Sequence, residues 1–254
     1  MNTYFPSDYQ AFIHTSRYAK WLDSENRREN WGETVNRYVD NLVLPKITDD
    51  ETVMAVREAI TNLDVMPSMR AMMSSGKAFD RDNTAGYNCS YLPVDDIRSF
   101  DEAMFILLCG TGVGFSVERQ YVNELPIVPM NLINLDETII VADSKEGWAW
   151  SLRTLITSLY NGVVPKWDVT RVRPAGAKLR TFGGRASGPA PLVDLFQFVV
   201  SKFKEASGDR LTSLHCHDIM CKIGEVVVVG GVRRSAMISL SNLSDDRMRH
   251  AKSG

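Results

Sequence analysis

The segments Tyr87-Asn88-Cys89-Ser90-Tyr91 and Gly110-Thr111-Gly112-Val113-Gly114-Phe115 decide the fold of this chain. The first sets a single cysteine in an apolar, strand-like run. The second is a glycine loop whose backbone a ligand can approach closely. It matches neither the dinucleotide fingerprint, since Phe115 takes the place of the third glycine, nor a P-loop, since no lysine follows. A helix-to-strand turn explains the same glycines, and a free cysteine is usually a small buried hydrophobe, so both interpretations stay open here.

The composition, with 44% hydrophobic and 24% charged residues, is ordinary for a soluble globular protein, and 254 residues suffice for one large domain or two modest ones. The net charge of -2 gives no electrostatic reason to expect duplex nucleic acid or an anionic membrane as a partner. No apolar run approaches the length of a membrane span, and the first residues lack the features of a secretory signal. Four cysteines do not make a disulfide scaffold, so we predict reduced thiols and a cytoplasmic location.

The pattern divides the chain into a helical region, residues 1–78, and an α/β region, residues 79–254. Apolar residues recur at helical spacing over residues 8–62, with Thr48 as the cap of one helix and residues 23–29 as a solvated face or turn. In the second region short apolar runs alternate with longer helical patterns, which favours an α/β barrel or a layered sheet. The predicted strands are 87–93, 113–118, 138–142, 167–172 and 235–241, and the predicted helices are 98–108, 144–161, 190–206 and 211–229.

Two further glycine motifs, Gly183–Pro189 and Gly230–Ser235, stand later in the chain. A loop with the basic residues Arg171, Arg173, Lys178 and Arg180 leads into the first of them. A cationic loop of this kind suits a triphosphate, which it would hold through charge-assisted hydrogen bonds. A surface turn rich in lysine and glycine has the same composition, and the flanking motifs favour the phosphate interpretation.

The cluster His215-Cys216-His217-Asp218-Ile219-Met220-Cys221 suggests a zinc site, but no second ligand pair stands at metal-site spacing elsewhere. We therefore expect core-facing or half-buried helix residues there and no metal ion, and we expect Cys109 in the core as well. The pair Asp95-Asp96 is expected to form a turn in which Asp96 caps the next helix, with a ribose contact as the alternative.

The order of motifs along the chain resembles the first part of the ribonucleotide reductases. The matching segments are Met66-Pro67-Ser68, Asn88-Cys89, Gly110–Ser116, Glu146-Gly147-Trp148, Gly183–Pro189 and Gly231–Ser235. The adenosylcobalamin-dependent (class II) enzymes, in particular the ribonucleoside-triphosphate reductases, are the most similar, and the opening Arg27–Val35 also resembles theirs. The resemblance covers most of the chain. It implies a helical N-terminal region followed by the first half of a ten-stranded α/β barrel.

The resemblance also implies a function, which is removal of the ribose 2′-hydroxyl of a ribonucleotide by thiyl-radical chemistry with adenosylcobalamin as cofactor. Cys89 matches the first cysteine of a redox pair that becomes a disulfide and that a thioredoxin-like dithiol regenerates. Ser68, Asn88, Gly112 and Gly114 match positions at the substrate. Asp96, Arg173 and Lys178 match positions at a deoxynucleotide effector, which selects the base to be reduced.

The second half of these enzymes should carry the motif Asn-Pro-Cys-Gly-Glu, the thiyl cysteine and the redox partner of Cys89. That motif does not occur in this chain. We therefore expect a fragment that is inactive until the missing C-terminal half joins it. Two alternatives remain, a reductase with another radical generator such as a di-iron partner subunit, and a catalytically incomplete nucleotide-binding protein of the same fold.

Overall fold

The computed structural model describes residues 4–177, 185–229 and 236–252. The chain forms two compact units, Met1–Tyr87 and Asn88–Gly254, and the domain boundary predicted after residue 78 falls inside the first of them. None of the helices in the described ranges has the length and apolar character that crossing a bilayer requires.

Short helices make up most of the first unit. They are α1 (Asp8–Ile13), α2 (Trp31–Tyr38), α3 (Asp50–Thr61) and α4 (Met69–Ser74), with π-helical turns at His14–Tyr18 and Val39–Val43 and a 3₁₀ turn at Thr84–Gly86. Two antiparallel strands, β1 (Trp21–Leu22) and β2 (Arg27–Arg28), interrupt the predicted helical region. The helical periodicity of residues 8–62 therefore predicted the helices and missed this hairpin, because two-residue strands leave almost no period to detect.

One local prediction for the first unit is wrong. Thr48 does not cap α3, because the carboxylate of Asp49 accepts the hydrogen bond from the Thr52 amide at 3.0 Å. Residues 23–26 of the charged block 23–29 form an exposed turn, as one of its two interpretations predicted, and the last residue of the block is buried. Glu29 is only 7% exposed, and its carboxylate lies 2.7 Å from the guanidinium of Arg37.

Helix α2 begins at a capping box. The side chain of Asn30 accepts from the Glu33 amide at 2.9 Å, and the Glu33 carboxylate accepts from the Asn30 amide at 2.7 Å. Arg27 donates two hydrogen bonds to the same carboxylate, at 2.7 and 2.6 Å, and lowers the pKa of Glu33 to about 2. Trp31 is buried and donates its indole N–H to the Thr61 carbonyl at 3.0 Å. The segment Arg27–Val35 therefore has a structural role, which is to begin helix α2 and to anchor it.

A buried ion pair joins the elements of the first unit. Besides Arg37, the Glu29 carboxylate accepts from the Lys20 amide at 2.9 Å and from the Thr34 hydroxyl at 3.1 Å. Arg37 also donates to the carbonyls of Met72 at 2.7 Å and Tyr18 at 3.2 Å. Burial by itself would raise the pKa of Glu29, but the hydrogen bonds from Arg37 and Lys20 hold it below its usual value.

The second unit alternates strands and helices. Its elements are β3 (Cys89–Pro93), α5 (Ser99–Leu108), β4 (Gly112–Ser116), α6 (Arg119–Val122), β5 (Ile133–Ile140), α7 (Lys145–Tyr160), β6 (Val163–Asp168), α8 (Ala190–Glu205), α9 (Ser213–Val229), β7 (Met237–Leu240) and α10 (Asp246–Arg249). The predicted α/β class is confirmed. The four predicted helices end within two residues of the observed ones, whereas β5 and β6 begin earlier than predicted.

The strands β3 to β7, as far as the second unit is described, pair in parallel. One sheet has the order β3-β4-β7, with Cys89 opposite Gly112 and Gly114 opposite Ile238. A second, two-stranded sheet pairs β5 with β6, with an irregularity between Asn134 and Thr138. Helix α5 connects β3 to β4 and helix α7 connects β5 to β6, as parallel pairing requires. These are βαβ units, and whether they continue into a ten-stranded barrel stays a prediction.

The core of the second unit lies between the β3-β4-β7 sheet and helices α5, α7, α8 and α9. The alternation of β4 sends Val113 and Phe115 into it, each 1% exposed. The largest fully buried side chains of the unit are Phe100, Phe115, Phe196, Phe203, Met104, Leu107, Leu125, Leu152 and Leu155.

Helix α7 needs a glycine in its first turn. A Cβ built on Gly147 would lie 2.5 Å from the carbonyl oxygen of Ala142 and 2.7 Å from the Ala142 Cβ. The N-cap Ser144 accepts from the Gly147 amide at 2.9 Å and so fixes this approach. The Glu146-Gly147-Trp148 motif is therefore explained by the close passage of the chain beneath the helix.

Replacing Glu29 by alanine should destabilise the first unit by about 3–5 kcal/mol, because it leaves the buried Arg37 guanidinium without its counter-charge. The free energy of unfolding, measured with denaturant and Trp31 fluorescence, checks this. The same contribution should be present above the unfolded-state pKa of about 4.3 and should be lost as the pH falls through the lower folded-state pKa. The exposed pair Arg57–Asp40 is the control, and Asp40→Ala should cost at most about 1 kcal/mol. Equal effects of the two substitutions would contradict the role of Glu29 as the counter-charge of a buried Arg37.

Replacing Gly147 by alanine should destabilise the second unit by roughly 1–3 kcal/mol, because the clash with Ala142 outweighs the better helix propensity. Gly32 in α2 is the matched control, since the nearest atom to a Cβ added at that position would be Asn30 Oδ1 at 3.5 Å. Gly32→Ala should be neutral or stabilising by up to about 1 kcal/mol. The free energies of unfolding of both variants, measured by denaturation, test this. A Gly147→Ala protein as stable as the parent would show that the close approach of Ala142 does not require glycine.

Candidate functional site

Cys89 is the first residue of β3, and its side chain is exposed. Strand alternation places Cys89 and Tyr91 on one face of the β3-β4-β7 sheet and Leu92 on the face that packs against the helices. The exposed face also carries Ile238 and Leu240, which are 63% and 42% exposed. The interpretation of Cys89 as a buried core thiol is therefore wrong for the described residues, and the thiol is available to a ligand on this face.

The glycine loop is a helix-to-strand turn, as one of the two interpretations predicted. Helix α5 ends at Leu108, Gly110 takes a positive φ of 82°, and β4 begins at Gly112. The Gly112 amide donates to the Asn88 carbonyl at 2.9 Å, and the Gly112 carbonyl accepts from the Ser90 hydroxyl at 2.9 Å. Because Gly112 is the register partner of Cys89, the position beside the thiol carries no side chain.

Tyr91 belongs to the same face and was not predicted. The Tyr91 ring lies next to Gly114, its register partner on β4. A Cβ added at Gly114 would lie 3.8 Å from that ring. The Tyr91 hydroxyl forms hydrogen bonds with Tyr121 and Ser116, and the Ser116 hydroxyl donates to Glu118 at 2.9 Å. Partial burial raises the pKa of Tyr91 and the bond to Tyr121 acts in the same direction. Tyr91 could have been predicted from strand alternation, because it stands two residues after Cys89 and so shares its face of the sheet.

The other predicted substrate residues lie in different places. Asn88 pairs through its backbone with Gly112 and is exposed directly before Cys89. Ser68 belongs to the first unit, where it is the N-cap of α4 and accepts from the Ala71 amide at 3.5 Å. That local role fully explains a serine after Met66-Pro67. The structure thus brings Asn88, Cys89, Gly112 and Gly114 together within the second unit.

The predicted effector residues lie around the starts of two helices. Asp96 precedes α5, but the N-cap is Arg98, and Asp96 instead accepts from the Arg98 amide at 2.8 Å within the turn. The guanidinium of Arg173 lies 2.7 Å from the carboxylate of Asp143, next to the N-cap of α7. Lys178 lies outside the described residues, as do residues 179–184 of the basic loop and Gly230–Ser235.

The histidine–cysteine cluster sits on α9 and has separate roles along the helix. Cys216 is fully buried in the core, and the His215 ring accepts from the Thr212 amide at 3.3 Å. Within the described ranges no group of three histidine, cysteine or acidic side chains is placed to hold a metal ion. Cys109 is 2% exposed, as predicted, and the Lys145 amine lies 3.1 Å from its sulfur.

The fold and this sheet face define the class of protein to which the chain is similar. Residues 131–202 match the family model described as "B12-dependent ribonucleotide reductase, insertion domain", a range that contains β5, α7 and β6. A solved structure described as a B-12 dependent (class II) ribonucleotide reductase superposes with a TM-score of 0.78 at 24% identity, covering 95% of this chain and 43% of that one. This likeness shows the fold.

Sequence comparison gives individual relatives within this class. The chain is similar to adenosylcobalamin-dependent ribonucleoside-triphosphate reductases of Lactobacillus gasseri, Lactobacillus helveticus and Levilactobacillus brevis, with 28%, 30% and 28% identity over 89%, 89% and 90% of its length. It spans 40% of the length of each of these relatives. The resemblance to the first part of the class II ribonucleotide reductases, predicted from the sequence, is confirmed.

Proposed function

We propose that this chain is part of an adenosylcobalamin-dependent enzyme that reduces ribonucleoside triphosphates to 2′-deoxyribonucleotides for DNA synthesis. The names of its relatives and the description of the matching family model support the reaction and the cofactor. Because the chain spans 40% of those relatives, the activity belongs to the whole protein, completed by the missing C-terminal half. The observation that carries the proposal is the exposed thiol of Cys89 beside Gly112.

Cys89 supplies reducing equivalents in this proposal. Two thiols, Cys89 and a partner outside this chain, lose two electrons and two protons and become a disulfide. The ribonucleotide gains a hydrogen at C2′ and releases the 2′-hydroxyl as water, so that atoms and electrons balance. A thioredoxin-like dithiol then attacks the disulfide and restores both thiols by exchange. An exposed thiol is required for both steps, because sugar and reductant must each reach the sulfur.

The glycines of β4 support a nucleotide sugar beside this thiol. Gly112 leaves the place next to Cys89 free of a side chain, so that a ribose can lie against the sheet. Asn88 is exposed at the same end of β3 and offers amide donors and acceptors to sugar hydroxyls. We assign Ser68 to the phosphate end of the substrate on the resemblance alone.

Arg173 supports a deoxynucleotide effector site. A guanidinium near the start of the 16-residue helix α7 adds its charge to the positive end of the helix dipole, and both attract phosphate. The Asp143 carboxylate holds Arg173 in place when no anion is bound. Asp96 would accept from the effector ribose, and Lys178 would add a second cation from the basic loop.

The groove that lies between α5 and α7 does not fit the cofactor. The groove between α5 and α7 has a volume of about 340 Å³, at the small end of the range for drug-sized ligands, and adenosylcobalamin is far larger. The residues that line this groove are therefore not assigned to the corrin. When bound in the whole enzyme, adenosylcobalamin supplies the radical that starts the reaction.

The proposal also places the protein in the cytoplasm. The four free thiols fit the reducing cytoplasm, where the dithiol reductant also works.

A second candidate function is that of a catalytically incomplete nucleotide-binding protein. The loop that carries Arg173 and the glycines of β4 support this function equally. Cys89 distinguishes the two, because binding alone has no use for an exposed thiol.

In the completed enzyme, Cys89→Ser should reduce deoxynucleotide formation to background, because a hydroxyl cannot form the disulfide, while ribonucleotide binding should persist. Product analysis with adenosylcobalamin and a dithiol, together with equilibrium binding, measures both. Cys216→Ala, which alters a thiol buried in the core, is the control and should retain turnover. A Cys89→Ser enzyme with normal turnover would eliminate the redox role. Turnover by the 254-residue chain without the rest of the protein would refute the need for the other half.

Arg173→Gln should weaken deoxynucleoside-triphosphate binding about tenfold or more, because charge-assisted hydrogen bonds contribute about 1.5–3 kcal/mol. Arg171→Gln, which removes an exposed charge two residues away, should change the affinity far less. Titration calorimetry on both variants provides the measurement. Equal weakening by the two substitutions would show that only general charge matters and would remove Arg173 from the site.

A further inference from the structure

A second thiol, apart from Cys89, has a histidine in contact with it. His217 and Cys221 stand one turn apart on α9, and the Nε2 of His217 lies 3.5 Å from the sulfur of Cys221. The other ring nitrogen, Nδ1, lies 3.0 Å from the Ser239 hydroxyl on β7. If Nδ1 carries the proton and donates it to Ser239, Nε2 is left to accept from the Cys221 thiol. The three residues thus form a nucleophile, a base and a group that orients the base.

The surroundings keep both members of this pair neutral. Burial lowers the pKa of His217, which lies 6.0 Å from the Phe115 ring, so the imidazole is an unprotonated base near neutral pH. Cys221 is exposed overall, but partial desolvation by its neighbours raises the pKa of its thiol. Two charged groups act on both residues: Lys252 lowers both pKa values and Asp218 raises both. A protonated thiol beside a neutral imidazole is the arrangement for general-base assistance.

Cys221 is also accessible, unlike two of the other thiols. It is exposed on α9, whereas Cys216, one turn earlier, is 0% exposed and Cys109 is 2% exposed. Cys89 is exposed as well and lies at the start of β3. The reactivity of Cys221 can therefore be compared with that of other thiols in the same protein. The two buried thiols should be inert, and Cys89 is a second exposed thiol in a different part of the fold.

We propose that Cys221 is a site of thiol–disulfide exchange with low-molecular-weight disulfides of the glutathione type, with His217 as its base and Ser239 as the group that orients the base. The Cys221 sulfur attacks one sulfur of the disulfide, a new S–S bond forms and the old one breaks. The thiol proton passes to Nε2 of His217 and then to the departing thiolate. The products are a mixed disulfide on Cys221 and one free small thiol, so the disulfide itself is the oxidant.

This inference does not depend on the proposed reductase activity, since Cys221 and His217 take no part in it. A bulky adduct on Cys221 would separate the sulfur from His217 and disturb the contact of His217 with β7, which pairs directly with β4. The modification would therefore act on the strand that borders the glycine face.

The test treats the folded 254-residue protein with oxidised glutathione at pH 7.5 and follows the mixed disulfide at each cysteine by peptide mass spectrometry. Cys221 should react, Cys216 should not, and His217→Gln should slow Cys221 at least about tenfold, since base assistance commonly contributes a hundredfold or more. The matched control is His215→Gln on the same helix, because His215 contacts Thr212 and Glu205. It should leave the rate at Cys221 unchanged.

Circular dichroism verifies that each variant is folded. In His217→Gln the rate should rise tenfold per pH unit below the thiol pKa, as expected for thiolate alone, whereas the parent should depend less steeply on pH. If His217→Gln does not fold, Ser239→Ala, which keeps the imidazole and removes its anchor, should still slow the reaction. Equal rates in parent and folded His217→Gln, an unchanged rate in Ser239→Ala, or reaction of Cys221 only after unfolding would each overturn the proposal.

Discussion

Strand β4 is the constraint on which the second unit depends. It lies between β3 and β7, and its amides bond to both neighbours, Gly112 to Asn88 and Val113 to Ala236, each at 2.9 Å. One face of β4 must fill the core with Val113 and Phe115, while the other must stay open beside Cys89. A strand with large residues on one face and glycines on the other satisfies both demands. The active-site hypothesis follows from this division of faces.

Much of the fold was predictable, because the helices of the second unit carry long apolar periods. Helices α5, α7, α8 and α9 were located from the sequence almost to the residue. The run Gly224–Val229, which is rich in β-branched valines, continues α9, since the helical pattern before it outweighs their preference for strands. The short strands were less well bounded. A five-residue strand contains little more than two periods, and where pairing begins depends on the neighbouring strand, which periodicity does not reveal.

The candidate site was predictable only where a motif carried it. Cys89 and its glycine partners were found through the resemblance and the glycine loop, but Tyr91 was not, because a tyrosine in a strand is ordinary. The Cys221–His217–Ser239 contact joins residues on α9 and β7, and only the folded backbone brings the serine to the ring. The histidines and cysteines of α9 were expected to be core-facing or half-buried helix residues, and their spacing gave no indication of the serine. Side chains that meet across elements stay hidden from local patterns.

The open face of the β3-β4-β7 sheet has a consequence for biosynthesis. Parallel sheets are normally covered on both faces, yet here Tyr91, Ile238 and Leu240 are 53%, 63% and 42% exposed. Ribosomes deliver a protein from its N-terminus at about 5–20 residues per second, so in a longer protein this surface emerges before anything that follows it in the chain. An apolar sheet face that is still uncovered favours non-specific association during that interval.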